Sequence, residues 1–422
     1  MLLRRGILRN GIGGNLVKRH FSTKNYVTKD ATRFVKDGKR IQVGIWLLGT
    51  SFCVFALTTR GGYTRNMRFG IPTIQWKGSG NTPKTDEQWE EKYEEFKKYP
   101  EYTARGKPTT LEQFKQAWIL NKAGMIFGPG AFLGHALPMA YFLARGYFKG
   151  PMKKFCAIYT GLVASIGFQG MYMDKKRPGA VEGAPTPAKD KHQKAIHYTL
   201  IGAYFGYGFW MALNMLRGSP DHIKRLDRFF AYNSLRKHMT FSTHFFFTLV
   251  LLSGFLTAGT GSGRSITTYP KVGDKWAPAM SDLDQDSSFL ENILNNNKLI
   301  QFNHRTLGLI MTGVVGIQWV LLMRTKLGFM GKLGLTTLFA LLLGQLHIGS
   351  YMVTHGMQPE NTMTHAGNGY LIFATILYLM HLCRKPNPAV IKKIAAQFKE
   401  RNPGKYEAFT KRYAYEMSKV PK

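Results

Sequence analysis

Apolar residues in this chain are gathered into blocks instead of recurring with the period of a surface helix. Crossing a bilayer as a helix takes about 20 mostly apolar residues. Eight stretches approach that length: 41–58, 117–144, 155–173, 196–216, 239–259, 299–323, 331–353 and 365–383. The pattern predicts an all-α polytopic membrane protein with eight transmembrane helices. The long polar tails and connections account for the slightly negative mean hydropathy.

The blocks fall into two sets of four. The first ends in Leu57-Thr58-Thr59-Arg60-Gly61-Gly62-Tyr63-Thr64-Arg65, and the fifth in Leu256-Thr257-Ala258-Gly259-Thr260-Gly261-Ser262-Gly263-Arg264. Both exits run Leu-Thr, then small residues, then an arginine eight positions after the leucine, and both lead into long loops carrying a tryptophan, Trp76 or Trp276. The expected architecture is therefore two pseudo-symmetric four-helix bundles of the same orientation, a 4+4 repeat whose halves place sites in corresponding positions. Chance likeness among apolar helices is the alternative. The expected organisation is a presequence and basic segment over 1–35, a first bundle over 36–216 with a loop over 60–116, a linker over 217–238, a second bundle over 239–383, and a basic tail over 384–422.

Charge sets the orientation. The formal net charge is +34, which in a soluble protein would suggest a nucleic-acid partner. Here the cations sit between spans two and three, four and five, and six and seven, and in both tails, whereas 261–297 carries Asp274, Asp282, Asp284, Asp286 and Glu291. That is positive-inside bias, and no nucleic acid is needed to explain it. Residues 1–29 contain Arg4, Arg5, Arg9, Lys18, Arg19 and Lys24 with no acid before Asp30, as in a mitochondrial presequence. The expected location is the mitochondrial inner membrane, multi-pass, with both termini in the matrix and the acidic loop in the intermembrane space. Cys53, Cys156 and Cys383 lie in three separate blocks and read as packing residues.

Two segments outside the blocks are amphipathic. Trp89, Tyr93 and Phe96 form one apolar stripe on an otherwise charged helix, expected to lie on the outer face of the bundle. The basic stretch 389–398 is able to rest on anionic lipid, and a solvated tail explains it nearly as well.

Candidate chemistry centres on Gln301-Phe302-Asn303-His304-Arg305-Thr306-Leu307-Gly308, which puts a histidine and an arginine just inside a membrane helix. Ionisable groups at that depth are costly and mark cofactors or pathways. The sixth and eighth blocks run in the same direction, so His304 and His365 share a depth. Either each histidine is an interfacial residue bonded to a neighbouring helix, or the pair ligates a haem iron between them, an arrangement helical bundles commonly support. Arg305 would then meet a haem propionate through charge-assisted hydrogen bonds. His347 and His355 are reserve ligands near the same surface. His244 stands near the inner end of span five, and His222, His238 and His381 read as inner-surface residues. In the first half His197 matches His365, but the position of His304 is taken by Gly124. His135 lies eleven residues further along, about 16 Å deeper by helical rise.

These residues resemble the mitochondrial heme A synthase family over about 41–382. The resemblance rests on Gly61-Gly62-Tyr63-Thr64-Arg65, Leu137-Pro138-Met139-Ala140-Tyr141-Phe142, Gly167-Phe168-Gln169-Gly170, His197, Tyr269-Pro270-Lys271-Val272-Gly273, Gln301–Arg305 and Thr364-His365. It implies a 4+4 bundle with haem b held at His304 and His365. It also implies oxidation of the heme O methyl group to give heme A for cytochrome c oxidase, with electrons from ferredoxin and substrate from heme O synthase. Cytochrome c oxidase or its assembly factors are the implied partners, and a homo-oligomer is compatible. His197 matches the family's substrate-haem histidine. The family's Glu-x-x-His-Arg on the second helix is replaced by Asn121, Gly124 and Met125; Gly261 stands for an expected Asp, and Arg68 and Phe69 for Glu and Ser. Asn121 cannot titrate and Gly124 offers no ligand. Two readings follow: a heme A synthase with a rebuilt first-half site, or a catalytically degenerate paralogue retaining haem b as an assembly or accessory structural subunit of a respiratory complex. A transporter fits less well, because the spans lack paired broken helices and paired acids.

Overall fold

The computed structural model describes residues 33–66, 82–98, 110–175, 188–217, 223, 225–386 and 388–418. The presequence, Trp76, and Arg68 with Phe69 lie outside the described residues. Within them the chain is helical: α1 (Arg40–Asn66), α2 (Asp86–Lys97), α3 (Leu111–Ala144), α4 (Gly150–Lys175), α5 (Ala188–Arg217), α6 (Leu226–His238), α7 (His244–Thr260), α8 (Phe289–Asn295), α9 (Asn297–Met323), α10 (Phe329–Thr354), α11 (Pro359–Leu382), α12 (Pro388–Arg401) and α13 (Tyr406–Ser418). A π-helical segment, Met239–Thr243, joins α6 to α7, so helix already begins inside the stretch read as a linker.

Six of these helical runs are long and apolar enough to cross a membrane: Arg40–Gly61, Leu111–Ala144, Gly150–Met173, Leu226–Thr260, Asn297–Met323 and Phe329–Thr354. In lipid only a helix or a closed barrel satisfies its own backbone, which is why uniformly apolar blocks become helices. The two remaining long helices, α5 and α11, span 30 and 24 residues. Their outer halves are polar: Lys194, His197 and Thr199 in one, Glu360, Asn361, Thr362, His365 and Asn368 in the other. Both are central. α5 packs on α1, α4, α7 and α11, and α11 packs on α1, α5 and α10. A helix walled by protein need not be apolar, and these two carry their polar halves against neighbouring helices.

Contacts between the two sets of helices are reciprocal: α1 packs on α11 and α5 packs on α7. Inside the sets the packing differs. α1 lies along α5, close enough that a Cβ at Gly44 would meet the Leu216 side chain at 2.7 Å. α7 and α11 keep their backbones further apart, meeting through Met239–Thr243 and through Phe247 against Phe373, ring centroids 5.0 Å apart. The space between α7, α9 and α11 houses the candidate site.

Caps fix where helices begin. Thr110 and Gln113 form a capping box that starts α3 six residues before its apolar run. That extension carries Phe114, with Trp118 just inside the apolar run, and the Trp89–Tyr93–Phe96 stripe of α2 packs there, Phe96 stacking on Phe114 at 5.0 Å. Asn296 caps α9 by accepting from the N–H groups of Lys298 and Leu299, setting the register that aims His304 inward. The basic tail departs from expectation. α12 and α13 bury Ile391, Ile394, Ala395, Phe409 and Tyr413 in the cluster that contains Phe229 of α6, so the apolar face meant for lipid is covered by protein.

Candidate haem site

α7 brings Ser253 and Gly254 against the His304 imidazole. A Cβ at Gly254 would stand 2.9 Å from His304 Cε1, so glycine permits the approach. Ser253 Oγ donates to the carbonyl of Val250 at 2.9 Å and also lies 2.9 Å from His304 Nδ1. The hydroxyl has one proton, spent on Val250, so Oγ accepts from His304 Nδ1–H. Nε2 is then the deprotonated nitrogen, with its lone pair available to a metal.

His365 faces it from α11. The ring centroids are 6.4 Å apart with planes inclined at 78°. Imidazole nitrogens bind metals at about 2 Å, so two rings ligating one ion from opposite sides stand roughly 6 Å apart by centroid. The pair matches that spacing. α10 supports the second histidine: Gln345 Nε2 donates to the His365 carbonyl at 3.0 Å, and Asn368 Nδ2 donates to Gln345 Oε1 at 2.7 Å. Gly349 admits the ring, its Cβ position lying 3.2 Å from His365 Cε1. Among the described residues no group of three or more His, Cys, Asp or Glu side chains gathers to hold a metal ion, so protein-only metal chemistry has no cluster here.

Arg305 donates Nη1 to the Thr268 carbonyl at 3.0 Å, while its buried Nη2 has no partner among the described residues. A buried guanidinium N–H left unpaired is costly, and a carboxylate is the partner its geometry suits. The loop presenting Thr268 is pinned by Gln301. Its amide donates to the carbonyls of Gly263 (2.9 Å) and Ile266 (3.1 Å), and its Oε1 accepts from Ile266 N–H (2.7 Å) and Ser265 Oγ (3.0 Å). An axial histidine pair, an orphaned buried donor and closely approached glycines fit a haem bearing propionates.

The first half is built differently. His197 on α5 has a buried Nδ1 without a partner among the described residues and lies near Gly170 of α4, whose Cβ would be 3.8 Å away. The place a side chain at Gly124 would occupy holds the Arg60 guanidinium, whose Nη1, Cζ and Nη2 a Cβ there would overlap. The contacts of α1 put Arg60 near the level of His197. Gly44 meets Leu216, so sixteen residues further along α1 the antiparallel α5 is near residue 200. Two-histidine ligation does not fit here. His135, buried deeper, hydrogen-bonds Tyr204 Oη (3.0 Å) and Thr160 Oγ1 (3.3 Å) inside an aromatic cluster with Trp46 and Tyr159.

The other histidines divide. His347 is exposed on α10, and His355 is exposed with Nδ1 2.9 Å from Thr354 Oγ1, so neither joins the pair. His244 is exposed. His381 is not the surface residue expected: it is buried, 5.7 Å from Trp210 by ring centroid. Ser253, Gln345 and Arg60 were not singled out from sequence. Ser253 and Gln345 lie in apolar runs with no local mark. Arg60 was legible only as a cation at a helix exit.

Residues 44–377 match the family model described as COX15-CtaA, cytochrome oxidase assembly protein. The chain is 27% identical to heme A synthase COX15 of Arabidopsis thaliana over 357 residues, covering 83% of this chain and 77% of that protein. It is 28% identical to heme A synthase COX15 of Bos taurus, covering 81% and 82%. It is 26% identical to heme A synthase of Nitrosospira multiformis, covering 81% and 94%.

Proposed function

The chain belongs to the heme A synthase family of cytochrome oxidase assembly proteins, and from that premise we propose that it is a heme A synthase-like haem protein of the mitochondrial inner membrane, oxidising the methyl group of heme O toward heme A. Eight helices cross the membrane in this reading, α5 and α11 included, as two four-helix bundles with both termini in the matrix. His304 and His365 hold haem b, and Arg305 binds a propionate. The bound haem would supply one-electron transfer from ferredoxin, and the oxidation of the methyl group would consume a separate terminal oxidant as co-reactant. The residues act around it: Ser253 keeps Nε2 of His304 deprotonated, Gln301 and Thr268 orient Arg305, and Gln345 holds the backbone of His365. The observation that carries the reading is the 6.4 Å histidine pair beside an arginine with a buried unpaired donor. Purified full-length protein should show a low-spin b-type reduced spectrum that His304→Ala abolishes; an unchanged spectrum refutes the haem site.

A specific observation favours a second reading for the first half. Arg60 fills the space at Gly124, so His197 has no opposing ligand for substrate haem. On that reading the chain is a paralogue that keeps haem b and serves oxidase assembly or a respiratory complex without converting heme O. The readings part in one assay, conversion of heme O to heme A with ferredoxin and its reductase. Conversion selects the enzyme, whereas an intact b-type spectrum without conversion selects the paralogue.

A further inference from the structure

At the end of the molecule opposite the histidine pair, the start of α6 and the turn between α9 and α10 enclose a cavity of about 320 Å³. Arg225, Arg228, Lys326 and Lys332 line it, together with Thr325, Leu327 and Asp227. Asp227 is the lone acid among the lining residues, and both its oxygens are engaged: Oδ2 pairs with Arg225 Nη2 at 3.3 Å and Oδ1 accepts from Arg228 N–H at 2.8 Å. Among the described residues Lys326, Lys332 and the Arg228 guanidinium make no ion pair. Among the described residues three of the four cations thus face the cavity without an ion-pair partner.

The walls are fixed. Tyr232 of α6 sets its hydroxyl against the turn, where Cβ atoms at Gly328 and Gly331 would lie 3.2 and 3.1 Å away, and Leu327 is buried beneath it. Directly beside the cations, apolar side chains stand open: Phe329 is 76% exposed, Leu333 47% and Leu321 52%. Lys332 and Leu333 are neighbours on the first turn of a candidate span, and Leu321 is on the last turn of another. A free phosphate would use the cations and leave the apolar side chains idle. A phospholipid uses both.

We infer that this cavity is a binding site for the headgroup of an anionic phospholipid, with its acyl chains running over Leu321, Phe329 and Leu333. Basic pockets between membrane helices on the inner leaflet take such headgroups. A lipid with two phosphates matches three uncompensated cations better than one with a single phosphate. The inference requires that α9 and α10 span the membrane and is independent of the haem chemistry: Met323 closes α9 nineteen residues after His304, about 28 Å along the axis.

The test uses full-length protein in detergent. Thermal unfolding is followed as cardiolipin, phosphatidylcholine or inorganic phosphate is added, comparing the native chain with Arg228→Gln/Lys332→Gln. A ligand that binds only the folded state raises the midpoint with concentration. Cardiolipin should raise it by several degrees, phosphatidylcholine and phosphate should not, and the double variant should lose most of the rise while its haem spectrum stays native. Lys326→Gln, at an exposed side chain, should reduce the rise too, and keeps the test open where the double variant folds poorly. An equal rise with phosphatidylcholine, an equal rise with phosphate alone, or a full rise in the variants overturns the inference.

Discussion

Gln301→Leu isolates what the outer loop contributes to the haem site. The native amide makes four hydrogen bonds to the 263–266 segment. Leucine fills much the same space and makes none. Ser265 Oγ keeps acceptors in the carbonyls of Ser262 (2.7 Å) and Asn297 (2.8 Å), so it is not stranded. The Ile266 N–H and the Gly263 and Ile266 carbonyls do lose their partner, in a segment where Gly263 and Ile266 are buried. Each buried group left unsatisfied costs about 1–3 kcal/mol, and apolar burial by leucine offsets about 1–2 kcal/mol. With three such groups the loop should lose roughly 1–8 kcal/mol of local stability, and even the lower figure speeds amide exchange there about fivefold. Because Thr268 follows directly and accepts from Arg305, the propionate partner is loosened with it. Hydrogen exchange over 261–268 measures the first effect, and haem transfer to apomyoglobin the second. Native exchange in 261–268 would refute the reasoning. Fast exchange with native haem retention would show that Thr268 does not orient Arg305.

Other outcomes follow from single contacts. Ser253→Ala removes the acceptor that fixes the His304 tautomer, and loss of such outer partners typically weakens metal binding by about 10–100-fold, so haem should transfer out correspondingly faster; an unchanged rate refutes the tautomer argument. Gly124→Ala drives a methyl into the Arg60 guanidinium and should destabilise the chain by about 1–3 kcal/mol as overpacking does, whereas in an Arg60→Met background it should cost almost nothing; additive effects in detergent unfolding contradict the filled-notch geometry. Asp282 is held below its ordinary value by Lys298 Nζ at 2.5 Å and by the Ala279 N–H at 2.9 Å. A depressed carboxyl contributes stability above its unfolded value of about 4, and that contribution is lost as pH falls through the lower folded value. Proteolysis of the 280–298 loop should therefore accelerate at low pH, and salt should weaken the pair at neutral pH.

Much of this was legible in sequence because the bilayer imposes a one-dimensional rule. Length and apolarity locate helices, and helical rise turns residue number into depth. That arithmetic placed His304 and His365 at one level, and the rings stand 6.4 Å apart. It could not find Ser253 or Gln345, because depth fixes neither which face of a helix points inward nor which neighbour it meets. It also misjudged the C-terminal tail, since amphipathicity shows that a face needs covering without saying whether lipid or α6 covers it.

The contrast between the halves turns on where bulk was placed. Laying the helix exit at Leu57-Thr58 over that at Leu256-Thr257 puts Arg60 where the second set of helices has Gly259. Gly124 likewise falls where it has His304. The second half therefore puts its large polar group on the second helix of the set and keeps the first helix small, and the imidazole can reach inward between Gly254 and Ser253. The first half reverses this: the arginine projects from the first helix and needs the glycine on the second to have room. Each exchange is sterically tied to its partner. Gly124→His alone must displace the Arg60 guanidinium before it can offer a ligand, and Arg60→Gly alone leaves a notch with no ligand in it. Restoring a two-histidine site opposite His197 requires Arg60→Gly with Gly124→His together. The expected result is a second low-spin haem signal in the double variant and in neither single one, and a second signal in Gly124→His alone would show that Arg60 is not what closes the site.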